Sequence, residues 1–248
     1  MPLTRRWIVM TVLVALAVAV MVELGFWQLR RLHSVREDNA RVRAHLTEPV
    51  VPIEAVLGSD LASAVYRSVS ATGRYDRVSE ILLRNRSFNG DPGSHLLTPL
   101  RLADGRAVIV DRGWIPLGIS AQEEEQARPP VLETVTVTGV LFPSERKSAF
   151  APSIPPSGRV TTVPRVDVAR IAKQLDYPVA PLYMRLGSQM PPQQGNLPEP
   201  PGLPDLSEGP HLSYAVQWFI FATLAFGTYV AVLRRDVRRA RERSLQTD

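Results

Sequence analysis

His211 opens the last apolar stretch of the chain, and Tyr214, Ala215, Trp218 and Ala222 share its helical face. The set is an imidazole above an aromatic wall with small residues between the rings. Imidazole is a good axial ligand for haem iron, alanines leave room for a flat macrocycle, and aromatic rings lie against it. The same residue types also suit a helix that starts at a lipid–water boundary. There His and Tyr meet headgroups, and an alanine face packs on another helix. A second group closes the first apolar stretch: Glu23, Trp27, Arg30 and Arg31. A carboxylate at the hydrocarbon edge is costly unless it is paired or protonated. If the two stretches form an antiparallel hairpin, Trp27 extends the aromatic wall, and Arg30 or Arg31 reaches carboxylates of a macrocycle by charge-assisted hydrogen bonds. Either arginine would equally meet lipid phosphate.

A third cluster, Asp111-Arg112-Gly113-Trp114-Ile115-Pro116, follows an apolar run. Gly113 permits a turn or a close backbone approach. Arg112 and the indole of Trp114 are candidate contacts for a partner or the membrane, against the alternative of a strand-ending turn with a core tryptophan. Signatures of hydrolases, phosphate loops and zinc proteases are missing, and His33, His45 and His95 stand isolated, as surface histidines do. With no cysteine in 248 residues, disulfides, iron–sulfur clusters and cysteine nucleophiles are excluded. No spacing of acids singles out a catalytic pair, so an enzyme is not expected.

The elements that must position these groups are two spans. Leu212 to Leu233 is 22 residues without formal charge. At about 1.5 Å per residue it reaches roughly 33 Å, enough for a hydrocarbon core of about 30 Å. Trp7–Trp27 supplies 21 residues, interrupted by Glu23. A secretory signal shares its basic start and small residues, with Ala15-Leu16-Ala17 or Ala17-Val18-Ala19 open to cleavage, but the length favours an anchor. Two arginines precede Trp7. Six follow Leu233, beside three acids, which leaves 21 basic and 21 acidic residues in the body between. A balanced body with basic ends argues for membrane-flanking charge and against a nucleic-acid surface. A short arginine-rich tail stays in the cytoplasm, which puts both termini there and the middle outside. Arg30, Arg31, Arg36, Arg41 and Arg43 then lie on the outer side, against the charge rule, although long translocated domains escape it. The division is a cytoplasmic arm (1–6), a first transmembrane helix (7–28), an exported domain (29–210), a second transmembrane helix (211–233) and a basic tail (234–248).

Arg30 to Leu46 reads as a helical continuation of the first span, ended by Pro49 and Pro52. Strand signals follow at Tyr66–Tyr75, Ile81–Arg84, Leu96–Leu102, Ala107–Val110, Thr134–Phe142 and Tyr183–Leu186, with turns at Phe88–Gly93 and Ala103–Arg106. Val168, Ile171, Ala172 and Leu175 mark a one-sided helix with Asp167 as its cap, and Ser120–Arg128 reads as a short acidic helix. The fold class is α+β: two transmembrane helices flanking an exported domain with a mostly antiparallel sheet and one or two helices. Gly187–Pro210 holds seven prolines and reads as a stiff tether.

Three stretches together resemble the surfeit-locus protein 1 family of cytochrome c oxidase assembly factors. They are Leu24-Gly25-Phe26-Trp27-Gln28-Leu29-Arg30-Arg31, then Arg112-Gly113-Trp114-Ile115-Pro116, then Gly209-Pro210-His211-Leu212-Ser213-Tyr214-Ala215-Val216-Gln217-Trp218-Phe219. They occur in the family's order and at matching places in its two-span topology, so the resemblance covers the whole chain. It implies a maturation role at the haem-bearing catalytic subunit of an aa3-type oxidase, with haem a as a transient cofactor. On that resemblance His211 is the iron ligand, Tyr214, Trp218 and Trp27 are the wall, and Arg30 or Arg31 lies near the propionates. A structural subunit that stays on the oxidase or a respiratory supercomplex is the alternative. The proline-rich tether departs from the family pattern. The lack of a transit peptide before the first span fits a bacterial plasma membrane.

Overall fold

The computed structural model describes residues 5–58, 60–119, 133–147, 152–193, 195–202 and 204–245. They fall into two compact units, residues 1–41 with 206–248, and residues 42–205. The acidic helix expected at Ser120–Arg128 lies outside the described residues.

The first unit is a helical hairpin. Helix α1 runs Arg5–Thr47 without a break, because no proline or glycine pair interrupts it before Pro49. The chain's last helix, here α5, runs His211–Leu245. Both are long and apolar enough to cross a membrane. On α1 the buried positions of this unit are Gly25, Gln28, Leu32 and Asn39; on α5 they are Ala215 and Ala222. These are i, i+3, i+4 and i+7 spacings, the stripe of a packed helix pair. Gly25 admits the ring of Phe219: a Cβ there would sit 2.7 Å from its tip. Beyond the apolar stretch of α1, Asn39 donates to the Leu206 carbonyl at 2.8 Å, and Arg36 grips Glu208.

The second unit is an eight-stranded mixed sheet with short helices: β1 (Val51–Pro52), β2 (Ser68–Tyr75), β3 (Ile81–Phe88), β4 (Asp91–Leu102), β5 (Ala107–Pro116), β6 (Val135–Pro143), β7 (Thr162–Val163) and β8 (Val179–Met190). The helices are α2 (Ile53–Leu57), α3 (Leu61–Ala64) and α4 (Val168–Ala172), the last capped by Asp167, whose side chain accepts from the Arg170 N–H. The order is β1-β2-β6-β8-β5-β4-β3-β7, and β4 also pairs with β2. That extra pairing closes β2, β6, β8, β5 and β4 into a ring. Gly73 is where β2 changes neighbour, from Val135 on β6 to Leu102 on β4. A Cβ there would stand 2.2 Å from the Arg101 carbonyl oxygen, so only glycine lets the ring close. Val69, Ala71, Val108, Val110, Val137 and Met184 fill the inside, as their alternation along the strands requires. A second core, with Leu83, Ile109, Phe142, Ile171 and Tyr183, lies under α4. Strand β8 runs on through Gly187 to Met190, beyond where the tether was expected to begin, because β6 pairs with it as far as Thr136–Met190.

Candidate functional site

The start of α5 is shaped by Gly209, whose φ of +66° is open to glycine at little cost, and by Pro210 ahead of the first turn. This brings the half-buried His211 ring against α1, where its Nδ1 lies 2.8 Å from Gln28 Oε1. Gln28 is itself 9 % exposed. With Nδ1 protonated and donating to the amide oxygen, the lone pair is left on Nε2. Nε2 has no partner among the described residues. A ring oriented through one nitrogen and open at the other is the arrangement of a metal-ligating histidine. Gln28 is the residue that reading the sequence missed. Its signal was an amide three residues after Gly25, on the stripe that α1 turns to α5.

Helical periodicity sorts the other candidates. Phe26 and Phe219 meet edge-on, centroids 5.4 Å apart, on one flank of the hairpin. With about 3.6 residues per turn, Trp27 and Arg31 of α1 and Tyr214 and Trp218 of α5 fall on the opposite flank. Trp27 and Tyr214 are about half exposed, at 50 % and 47 %, and Trp218 is partly covered. Arg30 is not among them. It turns away from α5 and holds Glu23, which supplies the partner that a carboxylate at that depth requires. The expectation that Ala215 and Ala222 keep space for a macrocycle is overturned. Both are buried in the helix seam, at 1 % and 5 % exposure, so a flat ligand has only the open flank.

Arg112 and Trp114 belong to the other unit, and the reading of them as partner contacts needs correction. Arg112 is fully buried and Trp114 is 8 % exposed. Alternation along β5 puts Arg112 on the inner side after Val108 and Val110. There its guanidinium lies 4.8 Å from the Tyr75 ring centroid and donates to Glu80 Oε1 and Gln193 Oε1, each at 3.2 Å. Burial pushes the Tyr75 phenol above its ordinary range, with the Arg112 charge pulling the other way. A buried guanidinium must be paired, and here the proline-rich segment supplies part of the pairing. Gly113, at φ +130°, lets that segment approach. Trp114 and Glu199 exchange backbone hydrogen bonds of 2.7 and 2.8 Å, and a Cβ on Gly113 would meet the Glu199 oxygen at 2.0 Å. Asp111 accepts from the Gly113 N–H and faces His95 Nδ1 at 2.9 Å, so His95 is a paired, largely buried histidine rather than a surface one. The cluster is packed within the unit, with Asp111, Arg112, Trp114 and Ile115 buried and its two charged groups paired with His95, Glu80 and the proline-rich segment.

A two-helix hairpin of membrane-spanning length, carrying one ring-shaped α+β domain and an oriented histidine at a helix start, defines a class of membrane-anchored accessory protein. A profile of the SURF1 family matches residues 15–223. The chain belongs to that family, one of cytochrome oxidase assembly factors. A SURF1-like protein of Mycobacterium tuberculosis is 32 % identical over 205 residues, covering 82 % of this chain and 73 % of the relative. One from Rickettsia felis is 25 % identical over 232 residues, covering 90 % and 96 %. One from Monosiga brevicollis is 26 % identical over 228 residues, covering 88 % and 85 %.

Proposed function

We propose that this protein assists the maturation of an aa3-type cytochrome c oxidase by holding haem a at the outer end of its hairpin and passing it to the haem-bearing catalytic subunit. The observation that carries the reading is the His211–Gln28 contact, which leaves Nε2 as a free ligand atom beside the flank of Trp27, Tyr214 and Trp218. Haem a, when bound, is the cargo whose iron the oxidase uses. The chain's own part is to orient one imidazole, cover a ring face with aromatic side chains, and offer Arg31 to carboxylates. A single protein imidazole holds such a group less tightly than two, which suits a donor.

The site faces outward if both termini are cytoplasmic and the domain lies outside a bacterial plasma membrane. Counted as Lys and Arg, which is what sets orientation, the two ends carry eight arginines (Arg5 and Arg6 with the six after Leu233) against the five that follow the first span. The test is expression in a host that makes haem a, followed by purification and a visible spectrum. Haem content should fall to background in His211→Ala while the protein still folds. Unchanged content removes the assignment.

The alternative, a subunit that remains on the oxidase or a supercomplex, is favoured by the half-exposed aromatic residues along the hairpin flank. Such residues suit a permanent helix neighbour as well as a cofactor. Stoichiometric retention after gentle purification of the oxidase supports it; absence from the mature complex supports the transient role.

A further inference from the structure

Where β2 and β4 cross to close the ring, Arg74 and Arg101 are direct cross-strand partners. Like charges directly opposite weaken a strand pair. Elsewhere in the same unit Arg67, Arg86, Arg106 and Arg112 each hold a carboxylate. Arg74 and Arg101 hold none among the described residues. The Arg74 Nε donates to Thr134 Oγ1 at 3.4 Å, and the Arg101 guanidinium lies 4.8 Å from the Tyr177 ring centroid. Tyr177 is itself fixed, its hydroxyl donating to Asp76 Oδ2 at 2.6 Å. The hydrogen bond keeps Asp76 ionised, so its carboxylate stays on the cleft as an anion beside the two arginines. Both arginines line a cleft of about 570 Å³, with Thr134, Tyr177 and the two carboxylates Asp76 and Asp176 around them.

Two guanidiniums on directly opposed residues of one sheet face, neither in an ion pair among the described residues, suit a doubly charged oxyanion, which arginine's fork grips through paired N–H groups. Asp76 and Asp176 on the cleft lining disfavour a ligand that is anionic throughout and favour one with a donor at its other end, which Asp176 is left to take because Asp76 is held by Tyr177. We infer that this cleft binds a phosphate ester bearing an ammonium or hydroxyl group. Arg74 and Arg101 take the phosphate oxygens and Asp176 takes the donor. The ester is either a free metabolite or a phospholipid headgroup. The inference shares no residue with the haem reading and stands or falls separately from it.

The test uses the full chain in phospholipid-free detergent micelles, titrated with phosphoethanolamine by calorimetry and by thermal melting. Saturable binding is expected, with a rise in melting temperature that sodium chloride at matched ionic strength does not reproduce. Arg74→Gln and Arg101→Gln should each weaken binding by about tenfold, the loss of one charge-assisted contact. The double variant should lose binding while melting no lower than wild type, since it also loses a like-charge repulsion. Displacement of the soluble ester in phosphatidylethanolamine nanodiscs identifies the lipid headgroup as the source; persistence of binding identifies a free ester. An effect matched by sodium chloride means an adventitious ion only and overturns the proposal, as does undiminished binding in the double variant.

Discussion

A half-buried imidazole has two nitrogens to place, and in this chain Gln28 takes one of them. The 2.8 Å contact does two things. It satisfies a polar atom at the helix seam, and it selects the tautomer that leaves Nε2 available. Gln28→Leu keeps the size of the side chain and removes the acceptor. Haem affinity, read from visible absorbance titrations, should drop about 10- to 100-fold, the usual cost of losing a group that orients a ligating histidine. Gln28→Glu restores an acceptor and should recover most of it. An unchanged affinity in Gln28→Leu would show that His211 needs no orientation. At the same scale, Asp76 carries a pH signature. Burial alone would raise its pKa, but hydrogen bonds from Tyr177, from the Ser79 side chain and from the backbone of Ser79 and Val78 outweigh it, and the carboxyl titrates below its ordinary range. Its stabilising contribution is therefore present above the unfolded carboxyl's pKa and is lost as pH falls through the lower, folded one. Tyr177→Phe removes a leading donor, so the variant should be less stable than wild type near neutrality, and the gap should narrow as pH falls through the folded carboxyl's titration, read as denaturation midpoints by circular dichroism at a series of pH values.

At the scale of elements, the strands were legible wherever one face is buried. Val69, Ala71 and Gly73 alternate with Ser68, Ser70 and Thr72, and the structure buries the first set and leaves the second more open. Closure of the ring was not legible. It depends on Gly73 meeting Leu102 across nearly thirty intervening residues, and a lone glycine in a strand equally marks a bulge. Nor was the burial of Arg112. A guanidinium reads as surface until its partners are known, and Glu80 and Gln193 lie 32 and 81 residues away. Gly113 was legible as a close approach, but not which segment approaches. It now carries a prediction. In Gly113→Ala the new methyl collides with the Glu199 carbonyl at a backbone angle that L residues resist. The variant should lose about 2 kcal/mol or more, read as a lowered denaturation midpoint. The cause would show as faster proteolysis between Pro191 and Gly202, where the bridge to Trp114 is broken. A stability equal to wild type would mean the segment is not held there.

At the scale of the molecule, the orientation of the hairpin decides which compartment His211 meets. The sequence left a conflict, with arginines on both sides of the first span. Five arginines follow the first span, while the two ends hold eight, Arg5 and Arg6 before Trp7 and six after Leu233. The asymmetry favours a cytoplasmic tail. The lack of cysteine makes the point measurable without background. Val78 is 75 % exposed on the domain, and Glu242 is exposed near the end of α5. In intact cells a membrane-impermeant maleimide should label Val78→Cys, and should label Glu242→Cys only after the membrane is permeabilised. The reverse pattern would place the imidazole at the cytoplasmic mouth of the hairpin. Delivery to an oxidase site reached from the outer side would then have no route through these residues.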